Sequence, residues 1–174
     1  MAQVYVSIGS NMDRERYISS CLDALQKEFG ALQLSSVYES EAVGFAGDPF
    51  LNMVAGFQTL LPVGELSVRL KQIEDEHDRC RQGPKFSGRT LDIDILTYDD
   101  CQGNCDGIQL PRDEITRNAF VLWPLAEIAA ETCHPLSQQS YAQLWSDYDK
   151  SKQKLWPVDF IWQDVQISCQ AGTA

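Results

Sequence analysis

Asp92-Ile93-Asp94 is the segment whose residue types and spacing most directly suggest chemistry. It lies in a run, Thr90 to Tyr98, that alternates like a β-strand. Leu91, Ile93 and Ile95 fall in one register and the two aspartates in the other. Two residues apart on a strand, the aspartate Cα atoms stand about 6.6 Å from one another on one face. Asp is disfavoured in strands, and like charges on one face repel, so an ordered pair calls for a compensating cation. Hard carboxylate oxygens suit Mg2+, which takes one or two carboxylates and completes its shell with water and phosphate oxygens. A solvated outer sheet face is the alternative reading of the same pattern.

The segment just before this strand carries the opposite charge. From Arg79 to Arg89 it reads Arg-Cys-Arg-Gln-Gly-Pro-Lys-Phe-Ser-Gly-Arg, with four cations (Arg79, Arg81, Lys85, Arg89) and no acid. The net charge of the chain is −11, so removing these four cations leaves −15 elsewhere. Such an acidic surface argues against a generic nucleic-acid or membrane binder. A basic island within it fits a local phosphate site, because Arg grips phosphate with a planar fork and Lys adds a point charge. Surface pairing with Glu74, Asp75, Glu76 and Asp78 is the plainer account, and it serves Arg79 and Arg81 better than Arg89. Gly83 to Thr90 also reads G-x-x-x-x-G-R-T, which departs from a Walker A loop where Arg89 stands for Lys. It follows a helix and opens a strand, the reverse of the context that motif needs. Paired carboxylates beside an Arg-rich loop imply phosphoryl-type transfer, with the cations neutralising charge in the transition state.

The elements that must position these residues follow from periodicity. Val4, Val6 and Ile8 alternate as a strand. Asp13 can cap a helix carrying Ile18, Cys21, Leu22, Leu25 and Phe29 at helical spacing, and Gly30 stops it. Residues 32–38 predict a second strand, and Leu51, Met53, Ala55 and Phe57 a third over 50–60. A second helix after Pro62 carries Val63, Leu66, Leu70 and Ile73. The order β-α-β-β-α-β over the first hundred residues predicts an α+β, ferredoxin-like core with an antiparallel sheet and helices on its faces. A loop at 99–109, an apolar segment at 119–128 and a helix near 140–148 follow, as a C-terminal helical extension. At 174 residues the whole reads as one domain, 1–174.

Six cysteines are present. Cys101 and Cys105 form a C-x3-C pair with Cys133-His134 further on, but the spacing is looser than zinc pairs use, so free thiols on a loop are expected. No basic, apolar leader and no membrane-length apolar run is visible, so a cytoplasmic monomer that binds neither membrane nor nucleic acid is expected.

Four segments together resemble the 6-hydroxymethyl-7,8-dihydropterin pyrophosphokinases of folate biosynthesis. They are Tyr5-Val-Ser-Ile-Gly-Ser-Asn11, Phe50-Leu-Asn52, Gly88-Arg-Thr-Leu-Asp-Ile-Asp-Ile-Leu96 and Phe120-Val-Leu-Trp-Pro-Leu-Ala-Glu-Ile128. The resemblance implies a ferredoxin-like fold and transfer of diphosphate from ATP to the pterin hydroxymethyl group, releasing AMP. It implies two Mg2+ ions held by Asp92 and Asp94, a pairing that can clamp attacking and leaving oxygens. It implies that Arg79 and Arg89 act catalytically on phosphate, and that Glu74, Arg81, Phe86 and Arg112 line the ATP side. On the pterin side it implies Ser40, Glu41, Val43 and Asn52 at the ring edge, with Phe50 and Phe120 sandwiching the ring. The chain departs from the family where Pro111 is followed by Arg112 rather than His. It also departs where Asn118 stands in place of an Arg, with Arg117 one position early. A pterin-binding paralogue with weak or lost transfer is therefore a second reading, and a metal-binding or interaction domain without small-molecule chemistry a third.

Overall fold

A computed structural model describes residues 1–40, 49–77 and 90–170. The chain runs β1 (Ala2–Ser10), α1 (Arg14–Phe29), β2 (Gln33–Leu34), β3 (Val37–Ser40), β4 (Phe50–Thr59), α2 (Val63–Glu76) and β5 (Asp92–Tyr98). There follow β6 (Gly103–Cys105), β7 (Ile108–Leu110), α3 (Glu114–Arg117), α4 (Ala119–Ile128), α5 (Tyr141–Asp147), β8 (Leu155–Val158), β9 (Phe160–Trp162) and β10 (Val165–Ser168). The main sheet has the order β5-β1-β4-β3-β8, with β2 also on β4, and its pairs are antiparallel.

Alternation along the strands divides the side chains between two cores. Val4, Val6 and Ile8 of β1, Met53, Ala55 and Phe57 of β4, and Ile93 and Ile95 of β5 meet one face. There α1 contributes Ile18, Cys21, Leu22 and Leu25, and α2 contributes Val63, Leu66, Leu70 and Ile73, the stripes the periodicity predicts. The opposite face carries Tyr5, Val54 and Leu96, covered by Ile115 of α3, Val121, Leu122 and Leu125 of α4, and Tyr141 of α5. Asp92 and Asp94 share the register of Leu96 and belong to this second face.

The differences from the expected pattern have local causes. The strand expected over 32–38 breaks into β2 and β3 at Ser35. Its N–H donates to Val54 O (3.0 Å), but its Oγ, not its carbonyl, accepts from Val54 N (2.9 Å). Asp13 precedes α1 in a left-handed backbone (φ 48°) and makes no side-chain cap. Its carboxylate pairs with Arg16 instead (2.9 Å). The expected loop at 99–109 contains the β6–β7 hairpin, turned by Asp106-Gly107 with both φ values positive (52° and 87°), which Asp-Gly tolerates readily. Cys101 and Cys105 are joined in a disulfide rather than standing as free thiols. Beyond the three helices the C-terminal part adds strands, and β8 extends the main sheet by pairing with β3.

Candidate active site

The strand register fixes the site before any side chain is considered. Gly9 at the end of β1 pairs with Asp92 on one side and Asn52 on the other, and Asn52 pairs in turn with Tyr38. Directly paired residues share a face, so Asp92, Gly9, Asn52 and Tyr38 form one row across four strands. The next row is Asp94, Ser7 and Val54. The two aspartates thus stand at the β5 edge, and the amide of Asn52 stands two strands inward.

Asn52 is buried, and its Nδ2 donates to Ser40 Oγ at 2.9 Å. That bond points the amide oxygen toward Gly9, where an added Cβ would stand 3.1 Å from Asn52 Oδ1 and 3.8 Å from the Phe50 ring. The missing side chain at Gly9 lets the Asn52 amide oxygen and the Phe50 ring approach the β1 backbone. Asn52 therefore presents a fixed acceptor to a ligand lying on this sheet face. Phe50 follows the same register on β4, paired with Ser40. Phe120, half-buried at the start of α4, packs with the core of this face.

At the outer edge of β5 a cavity of about 210 Å³ is lined by Lys71, Glu74, Asp92, Asp94, Ile108 and Arg112 among others. Glu74 is 4% exposed, and its Oε2 accepts from the outward-facing N–H of Ile93 at 2.7 Å. A buried carboxylate at the last turn of α2 thus satisfies a sheet-edge donor, and it adds negative charge beside the aspartates. Arg112 donates to Asp94 Oδ1 at 3.1 Å, lies 3.6 Å from Glu114 and bonds the Ile95 carbonyl at 3.4 Å. Burial, then the charge of Asp92, pushes the Asp94 carboxyl up to about 7, with Arg112 opposing the shift. A carboxylate so strained electrostatically is one that a bound cation would relieve. The pair offers two hard oxygen groups, enough for Mg2+ with phosphate oxygens completing its shell. Among the described residues no cluster of three or more His, Cys, Asp or Glu could hold a metal.

The placements separate the expected residues into three sets. Ser40, Phe50, Asn52, Asp92 and Asp94 stand on one sheet face, with Phe120 on the helix that covers it. Glu74 and Arg112 stand at the β5 edge, and Arg112 engages the Asp94 carboxylate. Glu41, Val43, Arg79, Arg81, Phe86 and Arg89 lie outside the described residues. Arg117, one position early in the sequence, turns to Asp113 at 3.0 Å on the surface. Asn118, in the position the family gives to Arg, is held by Gln153 at 3.0 Å. Motif reading includes Ser7 and Gly9 in the Tyr5–Asn11 segment without giving them a role, and passes over Lys71. Gly9 follows from the pairing register, and Lys71 from its place one helical turn before Glu74. A larger cavity of about 620 Å³ lies on the other side of Tyr38, against Trp123, Glu127, Trp145 and the C-terminal strands. Neither aspartate lines it.

Comparisons with known proteins point to one family. A family model described as 7,8-dihydro-6-hydroxymethylpterin-pyrophosphokinase matches residues 5–130. The chain is 36% identical over 138 residues to 2-amino-4-hydroxy-6-hydroxymethyldihydropteridine pyrophosphokinase of Aquifex aeolicus, covering 78% of this chain and 86% of that protein. It is 33% identical over 155 residues to the folic acid synthesis protein fol1 of Pneumocystis carinii, covering 84% of this chain and 20% of that one. In fold it is similar to a crystal structure of a Plasmodium falciparum HPPK-DHPS triple mutant with pteroate. That match has a TM-score of 0.71 at 14% identity, over 99% of this chain and 49% of that one. With the family model matched over residues 5–130 and the Aquifex relative matched over most of both chains, the chain belongs to the 7,8-dihydro-6-hydroxymethylpterin-pyrophosphokinase family.

Proposed function

We infer that this pyrophosphokinase of folate biosynthesis transfers the diphosphate of ATP to 6-hydroxymethyl-7,8-dihydropterin. The observation that carries the reading is the adjacent rows Asp92–Gly9–Asn52 and Asp94–Ser7–Val54, which set a carboxylate pair and an oriented amide on one sheet face. The pterin hydroxymethyl oxygen would attack the β-phosphorus of ATP. The bond from that phosphorus to the α,β-bridging oxygen breaks, AMP leaves, and the hydroxyl proton passes to solvent. Asn52, held by Ser40, accepts from a ring N–H and fixes the pterin in its plane, while Phe50 and Phe120 supply aromatic faces for stacking. Asp92 and Asp94 would hold two Mg2+ ions, which supply charge neutralisation on the phosphates and orientation of the transferred group. Arg112 anchors Asp94, and Glu74 anchors β5 through the Ile93 amide. Positioning of this kind provides much of the acceleration in phosphoryl transfer.

The ferredoxin-like reading of the core and its treatment as one domain, 1–174, belong to the same proposal. So do a monomeric state, a cytoplasmic location and the roles of Arg79, Arg81, Phe86, Arg89, Glu41 and Val43. No helix among the described residues is long and apolar enough to cross a membrane. The test is direct. The chain, incubated with Mg-ATP and 6-hydroxymethyl-7,8-dihydropterin, should yield AMP and the pterin diphosphate in equal amounts by chromatography. No AMP at saturating ATP would sink the reading.

A further inference from the structure

We propose that Cys101 and Cys105 form a reversible thiol–disulfide modification site that controls the nucleotide side of the active site. The proposal rests on the pyrophosphokinase reading for what is controlled. The disulfide ties the turn end of the β6–β7 hairpin back to the chain leaving β5: Cys101 follows β5, and Cys105 ends β6 beside the Asp106-Gly107 turn, opposite Ile108. Both sulfur-bearing residues are half-buried against the core that α2 shares, so the bond is packed yet reachable from solvent.

What the hairpin carries makes the position consequential. Ile108 lines the cavity that holds Glu74, Asp92 and Asp94. Two residues past β7, Arg112 places its guanidinium on Asp94 at 3.1 Å, and its N–H donates to Leu96 O at 2.9 Å. At its far tip the hairpin is tied to the start of α2, where Gly64 N donates to Asp106 Oδ2 at 3.1 Å. The disulfide closes residues 101–105 into a ring, so the turn end of the hairpin is held twice, by the disulfide at Cys105 and by Gly64 at Asp106. Opening the bond leaves the tip contact, three ladder pairs and the buried Leu110 to hold Ile108 and Arg112 in place. Ser40, Asn52 and Phe120 sit on other elements and do not depend on that brace.

The chemistry is thiol–disulfide exchange with a dithiol reductant. One thiolate of the reductant attacks a cysteine sulfur and forms a mixed disulfide, and its second thiol displaces the protein sulfur. The reductant leaves as a disulfide, and Cys101 and Cys105 each take up a proton as thiols. Two electrons move, and no other reactant is needed.

The experiment holds the full chain in reduced or oxidised dithiothreitol and reads three quantities. Mass spectrometry after alkylation reports the state of Cys101 and Cys105. Amide hydrogen exchange reports residues 103–112. Calorimetry reports the Kd of Mg-ATP (with a non-hydrolysable analogue) and of the pterin. Reduction should speed exchange in the hairpin at least tenfold and weaken the nucleotide analogue threefold or more, leaving pterin affinity unchanged. The Cys101→Ser/Cys105→Ser double variant should match the reduced protein in both buffers. Should it fail to fold, the oxidised and reduced wild type still carry the comparison. A pair that stays dithiol in the oxidising buffer overturns the proposal. So do hairpin exchange and nucleotide affinity that are the same in both states. A double variant that still responds to the buffer overturns it too, by moving the response to Cys80, Cys133 or Cys169. If AMP never forms in either state, the pyrophosphokinase reading fails, while the mass and exchange readouts still decide this proposal.

Discussion

Replacing Asp94 by Asn should stabilise the metal-free protein above neutral pH. Burial and the neighbouring Asp92 hold the Asp94 carboxyl at about 7, against an ordinary value near 4. A carboxyl raised in the folded state keeps its proton more tightly there than in the unfolded chain. Folding stability therefore falls as pH rises from about 4 to about 7, and the slope vanishes above that window. The full cost at pH 8 would be about 4 kcal/mol, at roughly 1.4 kcal/mol for each tenfold change in proton affinity. The Asp94 side chain is 29% exposed, and water there screens part of the repulsion, so about 2 kcal/mol is the expected effect. Asn fills nearly the same volume without the charge, and Arg112 keeps Glu114 as a partner at 3.6 Å. Urea unfolding with a chelator present should show Asp94→Asn more stable than wild type by about 2 kcal/mol at pH 8, and by less than about 1 kcal/mol at pH 5. Adding Mg2+ at pH 8 should raise wild-type stability and leave the variant unmoved, because binding to the folded state alone stabilises it. A variant less stable than wild type at pH 8, or one gaining equally at both pH values, would refute the electrostatic account of the pair.

Two further substitutions probe the neighbouring contacts. Ser40→Ala removes the acceptor that orients Asn52; losing one hydrogen bond of about 1 kcal/mol should weaken pterin binding about fivefold in calorimetry while Mg-ATP binding stays constant. Glu74→Ala leaves the Ile93 N–H without its carboxylate in a buried setting and should lower stability by about 1–3 kcal/mol, read as a lower Tm.

The parts of the fold legible in the sequence are those where periodicity and burial coincide. The stripes of α1 and α2 and the alternation of β1, β4 and β5 each place one residue set in one core. What escaped depends on contacts made at a distance. The break at Ser35 needs Val54, nineteen residues on, to take the hydroxyl as its acceptor. Asp13 looks like a cap until Arg16 claims its carboxylate. The Asp106-Gly107 turn falls inside the loop expected at 99–109, and the strands it joins are three residues each, too short to show alternation. The C-terminal strand β8 contains Pro157, which argues against a central strand and suits the sheet edge where it lies. At the site, Asp92 and Asp94 were legible as types in a spacing, and Asn52 through the family resemblance. The partners that orient them were not, because Arg112 reaches Asp94 across eighteen residues and Ser40 reaches Asn52 across twelve.

The row from Asp92 through Gly9 to Asn52 acts as a ruler. Two strand spacings of about 4.8 Å each set the carboxylate and the amide about 10 Å apart at their backbones, and a hydrogen-bonded sheet barely stretches. The separation between the carboxylate and the amide is therefore written into backbone pairing.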